Sequence, residues 1–244
     1  MSRRVAVPLV GLLLVAVAVW AWWDYGSSSA RSGDLERLAP SVEAGLSEWL
    51  AVWRQGSPAL DLTQFQREHE GAMSAEREYY EAPYDPANPQ VASFTNADLR
   101  LKAPLLLYSP DRTRFIDLYL GLEMEERDGR VVAGWDVDAG VALVDLSRKK
   151  WMRLLYCGPS CGYDDAMWID NDTFVVVGYY EDISSRCPGR SDCVVQPYLW
   201  LYRVSANTVT WYVGPAVPKE ALVGHDGYNW RRIRERIPNL ADPN

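Results

Sequence analysis

The residues able to do chemistry are few. They are four cysteines (Cys157, Cys161, Cys187, Cys193), two histidines (His69, His225) and the carboxylates Asp164, Asp165, Asp170 and Asp172. Four is an even number, and the spacing is Cys-x3-Cys followed by Cys-x5-Cys. In an oxidising compartment such thiols form disulfides. Pairing Cys157 with Cys161 and Cys187 with Cys193 closes two small loops and is favoured by proximity. Crossed pairing ties more chain together and stabilises more, by about 2–4 kcal/mol per unstrained bridge. The rival is a four-thiolate zinc site, although zinc ribbons use tighter Cys-x2-Cys knuckles. A redox-active pair fits less well, because no Cys-x2-Cys opens a helix.

His225-Asp226 has the residue types of a general base and its orienting carboxylate. Sequence neighbours rarely reach that geometry, and Gly224 to Gly227 reads as a plain loop. The chain has no Gly-x-Ser-x-Gly elbow, phosphate-cradling glycine loop or His-Glu-x-x-His. Asp170-x-Asp172 offers oxygens to a calcium ion, but the remaining ligands of a calcium loop are missing, which favours turn chemistry. Glu123, Glu125, Glu126 and Asp128 precede an Asp128-Gly129 turn and read as a solvated hairpin. The expectation is therefore no catalytic, cofactor or metal residues. An envelope hydrolase using His225 or the Asp164 to Asp172 carboxylates is the alternative.

These side chains need a compartment, and the N-terminus supplies one. Arg3-Arg4 precede nineteen uncharged, mostly apolar residues from Val5 to Trp23, and Asp24 follows. At helical rise the segment covers roughly 28 Å, close to a bilayer's hydrocarbon thickness. Positive charge before it predicts an N-terminus inside and everything else outside. Trp20, Trp22, Trp23 and Tyr25 crowd the far end, where such rings favour the headgroup layer. A signal cleaved near Ala30 is the alternative, but export h-regions run shorter. The expected location is the inner membrane, single-pass, with the C-terminal domain periplasmic, or secreted if the signal is cleaved.

The composition bounds the partners. Setting Arg3 and Arg4 aside reduces 25 basic side chains to 23, against 33 acidic ones, a net charge of −10. Nucleic acid should repel such a domain. Eleven Trp and fourteen Tyr beside four Phe suit half-buried strand positions and interfaces.

Residues 25–40 read as a flexible spacer and 41–98 as a helical, proline-rich lead-in. Ser41 is placed to cap a helix running to about Gln55, with Gly56 and Pro58 as stop signals. Leu46, Trp49, Leu50 and Trp53 form its apolar stripe. A weaker helical stretch is expected over Leu62 to Tyr80, then a breaking loop from Ala82 to Pro89 with three prolines. Tyr228 to Ile237 reads as a C-terminal helix within a closing segment, 215–244.

From Leu99 the pattern becomes strand-like and repeats. Leu107 to Asp111 corresponds to Trp168 to Asp172, Phe115 to Tyr119 corresponds to Phe174 to Gly178, Val141 to Ser147 matches Leu199 to Ser205, and Trp151 to Leu155 matches Val209 to Val213. Each unit reads as four antiparallel strands, so 99–214 should be a two-unit β domain. Phe174 to Val177 is apolar on both faces and expects cover from both sides. All four thiols then gather at one end of the second sheet.

Tyr108-Ser109-Pro110-Asp111 and Val144-Asp145-Leu146 resemble the blade motifs of bacterial extracytoplasmic β-propellers of the TolB-like kind. The glycine usual after Ser-Pro-Asp is replaced by Arg112, and the second unit keeps only the outline. The resemblance covers roughly residues 103–214. It implies a mainly β fold of two four-stranded, propeller-blade-like meanders with flanking helices. In that family the fold mostly binds other proteins or scaffolds a site. Two units are too few to close a propeller. Together with the anchor, this leads us to expect a non-catalytic binding or scaffold domain, tethered to the membrane, with an envelope protein as partner. A structural subunit of an envelope complex is a further alternative.

Overall fold

The computed structural model describes residues 33–80, 92–93, 100–135, 138–181, 193–222, 224–225 and 227–241. The expected anchor, including Val5, Trp20, Trp22 and Trp23, lies outside the described residues, as do the 82–89 loop, Cys187 and Asp226. The chain divides into two compact units, residues 1–40 and 41–244. Of the first, residues 33–40 are described and helical. Among the described residues no helix is long and apolar enough to cross a membrane. All that follows concerns the second unit.

Residues 41–45 are helical, and α1 (Ser47–Gly56) follows after a bend at Leu46, whose φ of −115° leaves the helical region. Hydrogen bonds from Leu46 N–H to Val42 O and from Leu50 N–H to Leu46 O carry the helix across the bend. Ser41 is therefore an internal helical residue and not the expected cap. The apolar stripe is as read: Leu46, Trp49, Leu50 and Trp53 are all buried. The helix stops at Gly56.

The expected helix over 62–80 is absent. Only Leu62–Gln64 is helical, a single 3-10 turn capped by the Asp61 carboxylate, which accepts from Thr63 N–H at 2.8 Å. Beyond it lie β1 (Gln66–Ala72), β2 (Arg77–Tyr80) and β3 (Ala92–Ser93). The Glu, Arg and Gln of this stretch favour helix, but no apolar stripe backs that preference. Pairing with exposed sheet edges wins instead.

The repeat is two antiparallel meanders. The first comprises β4 (Leu107–Tyr108), β5 (Arg114–Asp117), β8 (Ala139–Asp145) and β9 (Lys150–Cys157), with β6 (Leu122–Arg127) and β7 (Arg130–Trp135) inserted as a separate hairpin. The second comprises β10 (Cys161–Trp168), β11 (Thr173–Glu181), β12 (Val194–Arg203) and β13 (Thr208–Val213). Each sheet gains strands from outside its meander, in the orders β3-β2-β9-β8-β5-β4 and β1-β13-β12-β11-β10, with β14 (Val217–Pro218) also on β12. Neither sheet is closed. The inserted hairpin turns as expected at Asp128-Gly129, both at positive φ (51° and 76°), a combination that glycine and aspartate tolerate.

The corresponding turns of the two units meet. Asn171 Oδ1 accepts from Asp111 N–H at 2.9 Å, Arg114 donates to Asn171 O at 3.1 Å, and the Trp168 indole donates to Leu107 O at 2.8 Å. Between the sheets lies one apolar cluster: Phe174, Val176, Trp200 and Tyr202 from the second, Ile116, Val141, Leu143 and Met152 from the first. The opposite face of the second sheet carries Val175, Val177, Leu199 and Leu201, also buried. The expected two-sided cover of Phe174 to Val177 is thus present. α2 (Tyr228–Arg236) adds Ile233 and, just past its end, Ile237 to the cluster.

Candidate functional site

Cys157 ends β9 and Cys161 opens β10, and a disulfide joins them across the link between the units. This is the local pairing, and it removes the four-thiolate zinc alternative because two of the thiols are covalently bonded to each other. Cys193 is disulfide-bonded as well and directly precedes β12. Cys161 pairs in register with Tyr180, and Val195 with Glu181, so the described cysteines share one end of the second sheet.

Asp164 and Asp165 lie inside β10, not at its ends. The pairing of β10 with β11 slips between Tyr163 and Asp165, leaving Asp164 as a bulge residue. Consecutive strand residues normally point to opposite faces, and a bulge re-aims one of them. Here it brings both carboxylates to buried partners on the flanking elements. Asp164 Oδ2 accepts from the Trp49 indole at 2.9 Å and lies 3.2 Å from His225 Nε2. Asp165 accepts from the Tyr228 hydroxyl and from Ala166 N–H, each at 2.9 Å, and from Arg232 at 3.0 Å. Arg232 reaches on to Glu48 at 2.9 Å, linking α2 to α1.

Burial pushes the Asp165 carboxyl above the usual carboxylate range, opposed by Arg232, Tyr228 and Ala166 N–H. Burial also raises the Tyr228 phenol, and the Asp165 charge adds to that. On Arg232, burial works against the charge, but Asp165 leads the oxygens that outweigh it and raise its pKa.

The structure thus joins two of the sequence candidates, His225 and Asp164, 61 residues apart. The pair is enclosed, with side-chain exposures of 6% and 2%. Trp53 and Tyr179 stand edge-on to the imidazole at 5.4 and 4.6 Å. The remaining carboxylates do not join them. Asp170 accepts from Asp172 N–H and Thr173 N–H, both at 2.7 Å, and Asp172 accepts from the Ser205 hydroxyl at 2.8 Å, so both are turn residues. Asp164, Asp165 and His225 are buried among the described residues and hold the flanking elements on the edge strand.

An open groove lies elsewhere, and of its described residues only His69 was among the sequence candidates. A groove of about 420 Å³ is lined by Glu68 and His69 of β1, Tyr180 of β11, Tyr198 of β12 and Trp211 of β13. Glu68 occupies a second bulge, because the register of β1 on β13 slips between Arg67 and His69. Glu68 and His69, consecutive in sequence, therefore line the same groove. Beneath it, buried Trp200 stacks on Tyr198 at 5.6 Å and meets Trp211 and Tyr180 edge-on at 6.0 and 6.1 Å. Burial pushes the Tyr198 phenol up to about 12, with the Glu68 carboxylate contributing. The sequence signals available were the Trp/Tyr excess and the alternation Tyr198, Trp200, Tyr202.

No family model, curated protein or solved structure matches this chain.

Proposed function

We propose that the chain is a membrane-tethered extracytoplasmic binding domain, in which the groove of β1, β11, β12 and β13 is the binding face and the Asp164–His225 network is structural. The observation that carries this reading is the groove itself. Its five side chains come from four strands and meet only once the sheet is assembled, with three aromatic rings turned toward an open space. Pockets of this size with aromatic walls and a few polar groups are the usual form of a ligand site. The apolar segment at residues 5–23 and the Cys157–Cys161 disulfide support an exported, oxidising location. The TolB-like resemblance of residues 103–214 supports a binding or scaffold role.

The test has two readouts. Trypsin added to spheroplasts should remove the domain, and a photo-crosslinker at His69 should capture an envelope component that Trp211→Ala loses. Protection from trypsin refutes the topology. Equal capture by the variant refutes the assignment of the binding face.

A further inference from the structure

We propose that the groove is a cage for an organic cation, specifically a quaternary ammonium group of the trimethylammonium type. The inference rests on the binding reading above and names the ligand chemistry of that same site.

The arrangement of the rings comes first. Tyr180 and Tyr198 meet at an interplanar angle of 74° with centroids 5.0 Å apart, so they form two walls of a corner. Trp211 contributes a third ring, and His69 stands edge-on to it at 6.2 Å and 81°. A flat sugar ring is best met by a flat aromatic platform. A compact, roughly spherical cation is best met by rings around it, each offering the negative face of its quadrupole. Buried Trp200 contacts Tyr180, Tyr198 and Trp211, so the walls are set before any ligand arrives.

Charge is the second observation. Among the described residues Glu68 is the one charged residue of the lining, apart from any charge on His69, and neither Lys nor Arg contributes. In a regular strand Glu68 and His69 would face opposite ways, and the bulge between Arg67 and His69 brings the carboxylate to the rings. Its field reaches both phenols, adding to the burial that raises Tyr198 and Tyr180. The share of that rise due to Glu68 is a negative field, which favours a cation, whereas burial by itself disfavours charge of either sign. The chain as a whole, at net −8, attracts cations in the same sense.

A quaternary ammonium cannot donate hydrogen bonds, so it needs no acceptor geometry, only aromatic faces and a nearby negative charge. A primary ammonium could bond the Glu68 carboxylate and the phenol oxygens as well, so it is the ring walls, and not a shortage of acceptors, that favour the methylated cation.

The test uses the full chain in detergent, with intrinsic tryptophan fluorescence and calorimetry as readouts. The probes are tetramethylammonium chloride, choline, phosphocholine and 3,3-dimethylbutan-1-ol, the uncharged carbon analogue of choline. Tetramethylammonium and choline should bind and perturb tryptophan emission, with the uncharged analogue weaker by roughly tenfold. Glu68→Gln, at an exposed position, should weaken choline by a similar factor and leave the thermal transition in place. Tyr198→Ala should abolish binding, and Glu68→Gln keeps the test valid should that variant fail to fold. Choline binding more tightly than phosphocholine assigns a free trimethylammonium compound, and equal binding assigns a headgroup. Equal binding of choline and its uncharged analogue, or no effect of Glu68→Gln, overturns the cage. So does an absence of binding by all four probes. His69 crosslinking reads the wider binding reading independently, so the failure of one is distinguishable from the failure of the other.

Discussion

Deleting one oxygen from each of two buried tyrosines should have opposite consequences. The Tyr228 hydroxyl donates to Asp165 at 2.9 Å within a network that also takes in Arg232. The Tyr202 hydroxyl is buried with no partner among the described residues. Tyr228→Phe removes a hydrogen bond to a charged group, which costs about 2 kcal/mol. In a domain of this size that lowers Tm by roughly 4–8 °C. Tyr202→Phe removes a buried hydroxyl that forms no bond, so stability should hold or rise by up to about 1 kcal/mol.

The pH dependence sharpens the contrast. Burial raises Asp165 above its unfolded value, so its contribution to stability is full below the unfolded pKa and is lost as pH rises through the folded one. The Tyr228 bond favours the ionised carboxylate, and losing it raises the folded pKa further. The penalty of Tyr228→Phe should therefore be smaller near about pH 4 than near about pH 7. Urea unfolding of both variants at the two pH values reads this directly. Equal penalties for the two tyrosines, or a Tyr228→Phe cost that grows in acid, would refute the network as drawn.

Further outcomes follow from separate parts of the fold. A Cβ at Gly178 would stand 2.1 Å from the Gly162 carbonyl oxygen, so Gly178→Ala should separate β10 from β11 and cost about 1–3 kcal/mol, measurable by calorimetry. Cys157→Ser should cost about 2 kcal/mol, since the bridge closes a loop of separation 4, and the variant's Tm should no longer respond to a reductant through this bridge. Burial works to raise Asp145, but hydrogen bonds from Ser147, Arg148 N–H and Arg114 outweigh it and hold the carboxyl below its ordinary value. Its contribution is therefore lost as pH falls through that lowered pKa, and Arg114→Gln should shift the acid-unfolding midpoint upward in a pH titration monitored by circular dichroism.

What the sequence revealed was local. The stripe Leu46, Trp49, Leu50 and Trp53, the Asp128-Gly129 turn and the strand repeat each depend on residues close together along the chain. So does the Cys157–Cys161 pairing. What escaped it depends on distant pairing. The strands β1 and β2 carry helix-favouring residues and become strands because β13 and β9 offer them edges. The bulges at Glu68 and Asp164 are mismatches between two strands, invisible in either strand alone. His225 was noticed for its neighbour Asp226, yet the carboxylate facing it in the described structure is Asp164, on β10. The groove unites β1 with β11, β12 and β13, so no window of sequence contains it.

The two lead-in strands have a consequence for how the molecule assembles. β1 pairs with β13 in one sheet and β2 pairs with β9 in the other, with only residues 73–76 between them. β2 can pair once β9 is made, whereas the template of β1 is β13, near the end of the chain, so β1 must wait unpaired for longer. The pairing of β1 on β13 then ties the second sheet to the first through residues 73–76. A chain interrupted before β13 would present two raw edges to its neighbours, which is where misassembly of this protein should begin.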